Sequence, residues 1–385
     1  MPASSSPLNT EINSSERFPT PAYGDQESVF AAAFAVLRQA LDTRAFPGVC
    51  VAVTYRGRLI ALKALGRFTH KADSSAVTAE SIFDLASVSK VVATTCTAMI
   101  LYQRGLMDLD IPVVSIVPEF AGFGSAAEDP RRREITLRML LAHSSGLPAY
   151  EKLFLRAKNK DELLAAAYAV PLAADPGTRA EYSDVGFIVL GVALERIADE
   201  SLDRFCQREI FGPLGMTRTV FNPPPAWRAA TLPTQDDRTF RERIIQGEVQ
   251  DENASVMGGV AGHAGVFSTA GDLAIFAHVM LQGGRPWLRP ETLEVFTSRE
   301  VSVPDSSRAL GWDTPSVPSQ SGKYFSPKSF GHLGYTGTSL WIDPERQLSV
   351  ILLTNRTWPD CQNQAIKEVR PTFHDAVVEA LEAKA

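Results

Sequence analysis

"DLASVSKVVATT", residues 84–95, sets a serine three residues ahead of a lysine, at the head of a run too apolar for a surface helix. Of the ten lysines in the chain, Lys90 alone has a serine at that offset, Ser87. The spacing predicts a helix from about Ser87 to Arg104 with Gly105 as its stop, which places Lys90 beside the Ser87 hydroxyl. "VVATTCTAMILY" is apolar or small on nearly all sides, as in a central buried helix. A serine hydroxyl is a poor nucleophile until a neighbour takes its proton, and burial favours the neutral amine of a lysine that could do so. Backbone N–H groups at the helix start would sit near developing negative charge. The pair therefore suits acyl transfer through an ester on Ser87. About one S-x-x-K is expected by chance in a chain this long, so its weight depends on what surrounds it.

Upstream, "ESVFAAAFAVLRQALDT" (27–43) carries Val29, Phe30, Phe34, Leu37 and Leu41 at helical spacing. "PGVCVAVTYRGRLIALKALGRF" (47–68) then reads as a hairpin turning at Arg56, Gly57 and Arg58. Downstream, four helical segments punctuated by Gly and Pro fill the middle: "ITLRMLLAHSSGLP", "KDELLAAAYAV", "VGFIVLGVALERIADESLDRFCQREI" and "AGDLAIFAHVMLQGG". Strand character returns at "TSLWIDPERQLSVILLTN" (338–355), and a helix over about 371–384 ends the chain. The expected fold class is α+β: an antiparallel β-sheet flanked by N- and C-terminal helices, plus an inserted, mostly helical domain. The expected division is a disordered leader over 1–26, a sheet domain from 27–80 and 305–385, and a helical domain over 81–304. A cleft between two such lobes is a common place for a small-molecule site.

Composition narrows the chemistry. With 385 residues, 45% hydrophobic and 21% charged, the chain is long enough for two lobes and has an ordinary globular profile. A formal net charge of -6 argues against a nucleic-acid partner. "RRRE" (131–134), the densest basic run, reads as a solvated loop. No apolar run reaches the roughly 18 residues of a membrane span. Cys50, Cys96, Cys206 and Cys361 lie far apart and read as free thiols, and the six histidines show no metal-ligand spacing, so neither metal nor cofactor is expected. The Ser- and Pro-rich first 26 residues lack the apolar centre of a secretory signal. The expected location is therefore the cytoplasm, or the periplasm or exterior if a leader was removed.

Two further clusters give the Ser–Lys pair a setting. "PGTRAEYSDVGF" puts Tyr182, Ser183 and Asp184 on a loop after a Pro-Gly turn and just before a helix. "SFGHLGYTGTSLW" has His332, Leu333 and Gly334 entering a strand whose glycines permit close approach by a ligand. In this order and approximate spacing, Ser87-Val88-Ser89-Lys90, Tyr182-Ser183-Asp184 and His332-Leu333-Gly334 resemble the three motifs of the class C β-lactamase-like serine hydrolases. That group includes penicillin-binding peptidases, family VIII-type esterases and β-lactamases. "LLAHSSGLP" (140–148), "GGVAGHAGVFSTAGDLAIFA" (258–277) and "GYTGTSLWIDPE" (334–345) are similar to other segments of the family, and the resemblance covers roughly residues 27 to 380.

The resemblance implies Ser87 as nucleophile, Lys90 as its activating partner and Tyr182 as general base and then acid. It also implies the backbone N–H groups of Ser87 and Tyr335 as oxyanion hole, with Asp184, His332, Leu333 and Gly334 in substrate binding. Two residues depart from the pattern. Asp184 stands where the family usually has Asn, and His332 where it usually has Lys. A tyrosine base working near pH 7 must ionise about 3 pH units below its ordinary value near 10, and one cation about 4 Å away supplies about that much before desolvation subtracts. An ionised Asp184 close to Lys90 would cancel part of this help. The expectation is an Asp184 that is protonated or turned away, or a slower enzyme. A histidine loses its charge above roughly pH 6.5, which favours neutral esters or weakly anchored peptides over penicillins. His143 and His263 read as structural.

The implied function is a cofactor-free serine hydrolase acting on a carboxylic ester or a D-Ala-type peptide. A β-lactamase and a penicillin-binding sensor without turnover are the alternatives. The expected partner is thus a small ester, peptide or β-lactam.

Overall fold

The computed structural model describes residues 18–122, 129–303 and 306–383. Its centre is a six-stranded sheet in the order β1-β3-β2-β6-β5-β4, with β1 Thr20–Pro21, β2 Gly48–Tyr55, β3 Arg58–Gly66, β4 Phe330–Leu333, β5 Ser339–Asp343 and β6 Leu348–Thr354. Strand β6 runs antiparallel to β2, from Leu348 opposite Tyr55 to Thr354 opposite Val49, and this ladder joins the two ends of the chain. Every pairing is antiparallel except the short β1, which lies parallel to β3. The β2–β3 hairpin turns through Arg56 and Gly57, with φ of 48° and 77°. Two successive left-handed residues match the twist of the flanking strands, and glycine supplies the second at no steric cost.

Both faces of the sheet are covered, which explains why β2 and β6 read as continuous apolar runs rather than alternating ones. On one face, Val49, Val51, Val53, Val350 and Leu352 pack with Phe34 and Leu37 of α1 (Ala31–Asp42) and with Phe373 and Val377 of the C-terminal helix Ile366–Glu382. On the other, Cys50, Ala52, Ile351 and Leu353 share one core with the middle of the chain, including Val91 and Met99 of the segment that begins at Ser87. The helix Ala270–Leu281 from that middle stretch packs on β2, β5 and β6.

Several local readings need correction. Of the leader expected over 1–26, residues 1–17 lie outside the described residues, but Thr20 and Pro21 pair with Arg58 and Leu59. The helix expected over 27–43 is a short turn, Gln26–Val29, followed after Phe30 by α1. The C-terminal helix starts at Ile366, not near 371, with Pro371 inside it. Pro371 cannot donate to the Lys367 carbonyl; the Gln320 side chain donates to it instead, at 3.0 Å. The "RRRE" run is only partly solvated: Arg131 pairs with Asp129 and Asp175, whereas Arg132 is buried with its guanidinium over the Phe120 ring. Cys50, Cys96 and Cys206 are buried free thiols, and Cys361 is half-buried. Among the described residues no helix is long and apolar enough to cross a membrane.

Candidate active site

The segment from Ser87 to Gln103 winds in three ways. A 3-10 turn (Ala86–Val88) leads into wide π-turns (Lys90–Thr95) and then an α-helix (Cys96–Gln103). Ala86, immediately before the serine, has φ 46° although it is not glycine. A left-handed alanine costs roughly 1–2 kcal/mol, and the surroundings hold it there. Its N–H donates to Asp84 Oδ1 at 2.8 Å, and Asp84 Oδ2 accepts from the Gln250 N–H at 2.7 Å. Burial pushes the Asp84 carboxyl up to about 6, against these two N–H groups. The Thr336 and Thr338 hydroxyls donate to the carbonyls of Asp84 and Leu85, both at 2.8 Å, and tie the serine's turn to the β4–β5 connection.

Ser87 Oγ accepts from Lys90 Nζ at 3.1 Å and lies 2.7 Å from the Tyr182 hydroxyl. Lys90 is 0% exposed and spends its other N–H groups on Asp184 Oδ1, at 2.6 Å, and on the His263 carbonyl, at 2.9 Å. An ammonium has three donors, and three acceptors surround it. The His263 ring in turn meets Asp251 Oδ1 at 2.8 Å. Burial pulls the lysine below its ordinary value while Asp184 pulls it back up.

Asp184 is not turned away. It meets both Lys90 and the Tyr182 hydroxyl, the latter at 3.0 Å. It also starts the helix Asp184–Ala198, whose N-cap Ser183 accepts from the Gly186 N–H, so the Tyr-Ser-Asp run is fixed by a cap. His143 supports that run from beneath: its Nδ1 accepts from the Ser183 N–H at 3.0 Å, and its ring packs between Tyr182 and Phe187. Burial, reinforced by Asp184, pushes the Tyr182 phenol well above its ordinary value. This is opposite to the direction a free tyrosinate base requires.

His332, Leu333 and Gly334 border the same cavity as Ser87, Tyr182 and Asp184, a space of about 770 Å³. Burial holds the His332 imidazole well below its ordinary value, with Lys90 and Arg308 acting in the same direction. Its Nδ1 donates to the Leu333 carbonyl at 2.8 Å, which leaves Nε2 as a buried lone pair without a partner among the described residues. It is therefore an acceptor rather than a weak substitute for a cation. Tyr335, whose backbone was expected at the oxyanion position, lines the cavity with a side chain 51% exposed and stacked on Arg356.

Sequence reasoning missed Arg308, whose guanidinium lies 5.5 Å from the Tyr182 ring centre, and Asp251. Arg308 comes from a loop with no periodicity to mark it. The grip on Lys90 by the His263 backbone carbonyl carries no side-chain signal at all. Among the described residues no cluster of His, Cys, Asp and Glu fits a metal ion. The arrangement can hold a carbonyl compound against a serine whose proton has a short path away.

Residues 33–369 match the family profile described as Beta-lactamase. The chain is 32% identical over 347 residues to a protein of Escherichia coli K12 named "Putative D-alanyl-D-alanine carboxypeptidase", a span covering 81% of this chain and 79% of that one. Among solved structures, it is similar to "EstCE1, a hydrolase with promiscuous acyltransferase activity" (TM-score 0.74, 22% identity, 91% of this chain and 99% of that one). It is also similar to a penicillin-binding protein homologue from Caulobacter crescentus (TM-score 0.71, 18% identity, 91% and 97%). The two structures share its fold. With a profile spanning most of its length, the chain belongs to the Beta-lactamase family.

Proposed function

We propose that this chain is a serine acyl hydrolase that forms an ester on Ser87 and acts on a carboxylic ester or a D-Ala-type peptide. One observation carries the reading: the amine of Lys90 and the phenol of Tyr182 converge on Ser87 Oγ, at 3.1 and 2.7 Å, on the wall of a cavity of about 770 Å³. Ser87 attacks the substrate carbonyl, its proton leaves by way of the Tyr182 hydroxyl and returns by the same way to the leaving group, and water then cleaves the acyl-enzyme by the same route. The Lys90 ammonium offsets negative charge that builds on Ser87 Oγ. The E. coli relative's name supports the peptide half of the substrate class, and the neighbour of similar fold titled a hydrolase with promiscuous acyltransferase activity supports acyl transfer.

The neutral His332 disfavours penicillins as preferred substrates. It offers the substrate a lone pair rather than the permanent cation that holds a carboxylate best.

The test compares the wild type with Ser87→Ala on a p-nitrophenyl ester, nitrocefin and a D-Ala-D-Ala peptide, followed by intact mass. The expected result is turnover of ester or peptide in preference to nitrocefin, with an acyl adduct on the wild type only. Equal activity in Ser87→Ala removes the nucleophile and the reading with it. A stoichiometric adduct that is never released identifies a sensor.

A further inference from the structure

We infer that Asp184 is the terminal proton acceptor of this site, reached from Ser87 through the Tyr182 hydroxyl. The inference rests on the acyl-hydrolase reading above and goes beyond it by naming where the proton stops.

The geometry is a chain of three oxygens: Ser87 Oγ to Tyr182 Oη at 2.7 Å, and Tyr182 Oη to Asp184 Oδ1 at 3.0 Å. A carboxylate only accepts, so an ionised Asp184 takes the phenol's single proton and leaves the phenol oxygen free to accept from Ser87. Lys90 does not compete for that proton. Paired with Asp184 at 2.6 Å and donating to Ser87 Oγ and the His263 carbonyl, its ammonium has no lone pair to offer.

The step balances without an outside reactant. Ser87 Oγ bonds to the substrate carbonyl carbon, whose π pair moves onto the carbonyl oxygen. The Ser87 proton passes to Tyr182 Oη as the phenol proton passes to Asp184 Oδ1. Asp184 becomes neutral while the substrate oxygen gains the negative charge. On collapse the proton returns from Asp184 through Tyr182 to the leaving group, and the carboxylate is restored. Tyrosinate never forms, which suits a phenol pushed well above its ordinary value by burial and by this same carboxylate. The other groups facing the relay are Lys90, Arg308, His143 and His332. Asp251 stands behind Lys90 through His263, and Tyr150 lies on the same cavity wall. Burial holds both histidines well below their ordinary values, so neither adds a positive charge to the relay in the ordinary imidazole range and above.

The test is the pH profile of single-turnover acylation by p-nitrophenyl acetate, on the wild type and on Asp184→Asn. A carboxyl ordinarily ionises about 6 pH units below a phenol, so Asp184→Asn is expected to move the acid limb up by about 4 units or more, which cuts acylation near pH 6 by about 100-fold or more and leaves it rising about tenfold per pH unit towards pH 9. A limb that does not move, or an equal fall at every pH, makes Asp184 only a strut for Lys90 and overturns the relay. A proton inventory on the wild type in H₂O–D₂O mixtures needs no variant to fold: a bowed plot fits two protons in flight, and a straight one overturns the relay. If the wild type forms no Ser87 adduct at all, the hydrolase reading fails and the relay goes with it. An adduct with an unmoved limb overturns the relay alone.

Discussion

Lys90 is the residue on which the site turns, because it is fully buried and donates to Ser87 Oγ, Asp184 Oδ1 and the His263 carbonyl. Removing one partner of a buried pair costs about 3–5 kcal/mol because the other charge is left behind. Lys90→Met is therefore expected to lower stability by about that amount and acylation by about 100-fold or more. Lys90→Met combined with Asp184→Asn should regain part of the stability and none of the activity. Chemical denaturation and burst kinetics on the same samples separate the two effects. A second residue-scale consequence concerns Asp84, which holds Ala86 at its left-handed φ through one N–H. Asp84→Ala removes two acceptors at once. It should slow acylation by about 10-fold or more through a displaced Ser87, since a misplacement near 1 Å costs about 100-fold. The signature is a fall in kcat for every ester regardless of leaving group.

At the scale of elements, the serine's turn and the β4–β5 connection act as one unit. Gly334 is the point of closest approach: a Cβ there would stand 1.9 Å from Thr338 Oγ1 and 2.4 Å from the Leu85 carbonyl. Neither is the loose end of a flexible chain, and Thr338 already donates to that carbonyl at 2.8 Å. Gly334→Ala is expected to push the connection off the turn, with a thermal midpoint lower by several degrees and acylation reduced by about 10-fold or more. Wild-type rates in that variant would show that the two elements move independently. The sequence showed that glycines here permit close approach. It could not show that the approaching partner is the chain's own Leu85 rather than a ligand, because the contact joins segments far apart in the sequence.

For the whole molecule, three imidazoles are kept neutral by burial: His143 and His332 beside the site, and His374 in the C-terminal helix, the last held down at about 3. A base with a depressed value in the folded state binds fewer protons there than in the unfolded chain once the pH drops below about 6.5, so stability falls with pH in that range. Each such group contributes about 1.4 kcal/mol per pH unit. Asp84 acts oppositely. Raised to about 6, it favours the folded state as the pH falls from 6 towards the ordinary carboxyl value. Glu252 and Asp272, also raised by burial, act in the same direction as Asp84, but His70 and His278, lowered by burial, join the other three, and the five imidazoles outweigh these carboxyls. The thermal midpoint should decline between pH 6.5 and 5, and His374→Gln should flatten the decline if the helix tolerates it; a midpoint rising on acidification would contradict the sign.

The α+β class, both hairpins and the order of the three motifs were legible in the sequence because they rest on local patterns: apolar runs of fixed period, turn residues, and a serine and lysine one helical turn apart. The resemblance to the family's motifs marked Asp184 and His332 as departures. The protonation logic followed from tertiary structure alone. Burial depends on which faces meet, and only the folded chain brings Tyr182 between Ser87 and Asp184, sets the His263 carbonyl on Lys90 and turns the His332 lone pair inward. Asp184 was expected to be protonated or turned away, or to slow the enzyme, because an ionised carboxyl beside the lysine cancels part of its help. In the folded site the same carboxylate accepts hydrogen bonds from both the lysine and the tyrosine, a geometry that spacing along a chain does not encode.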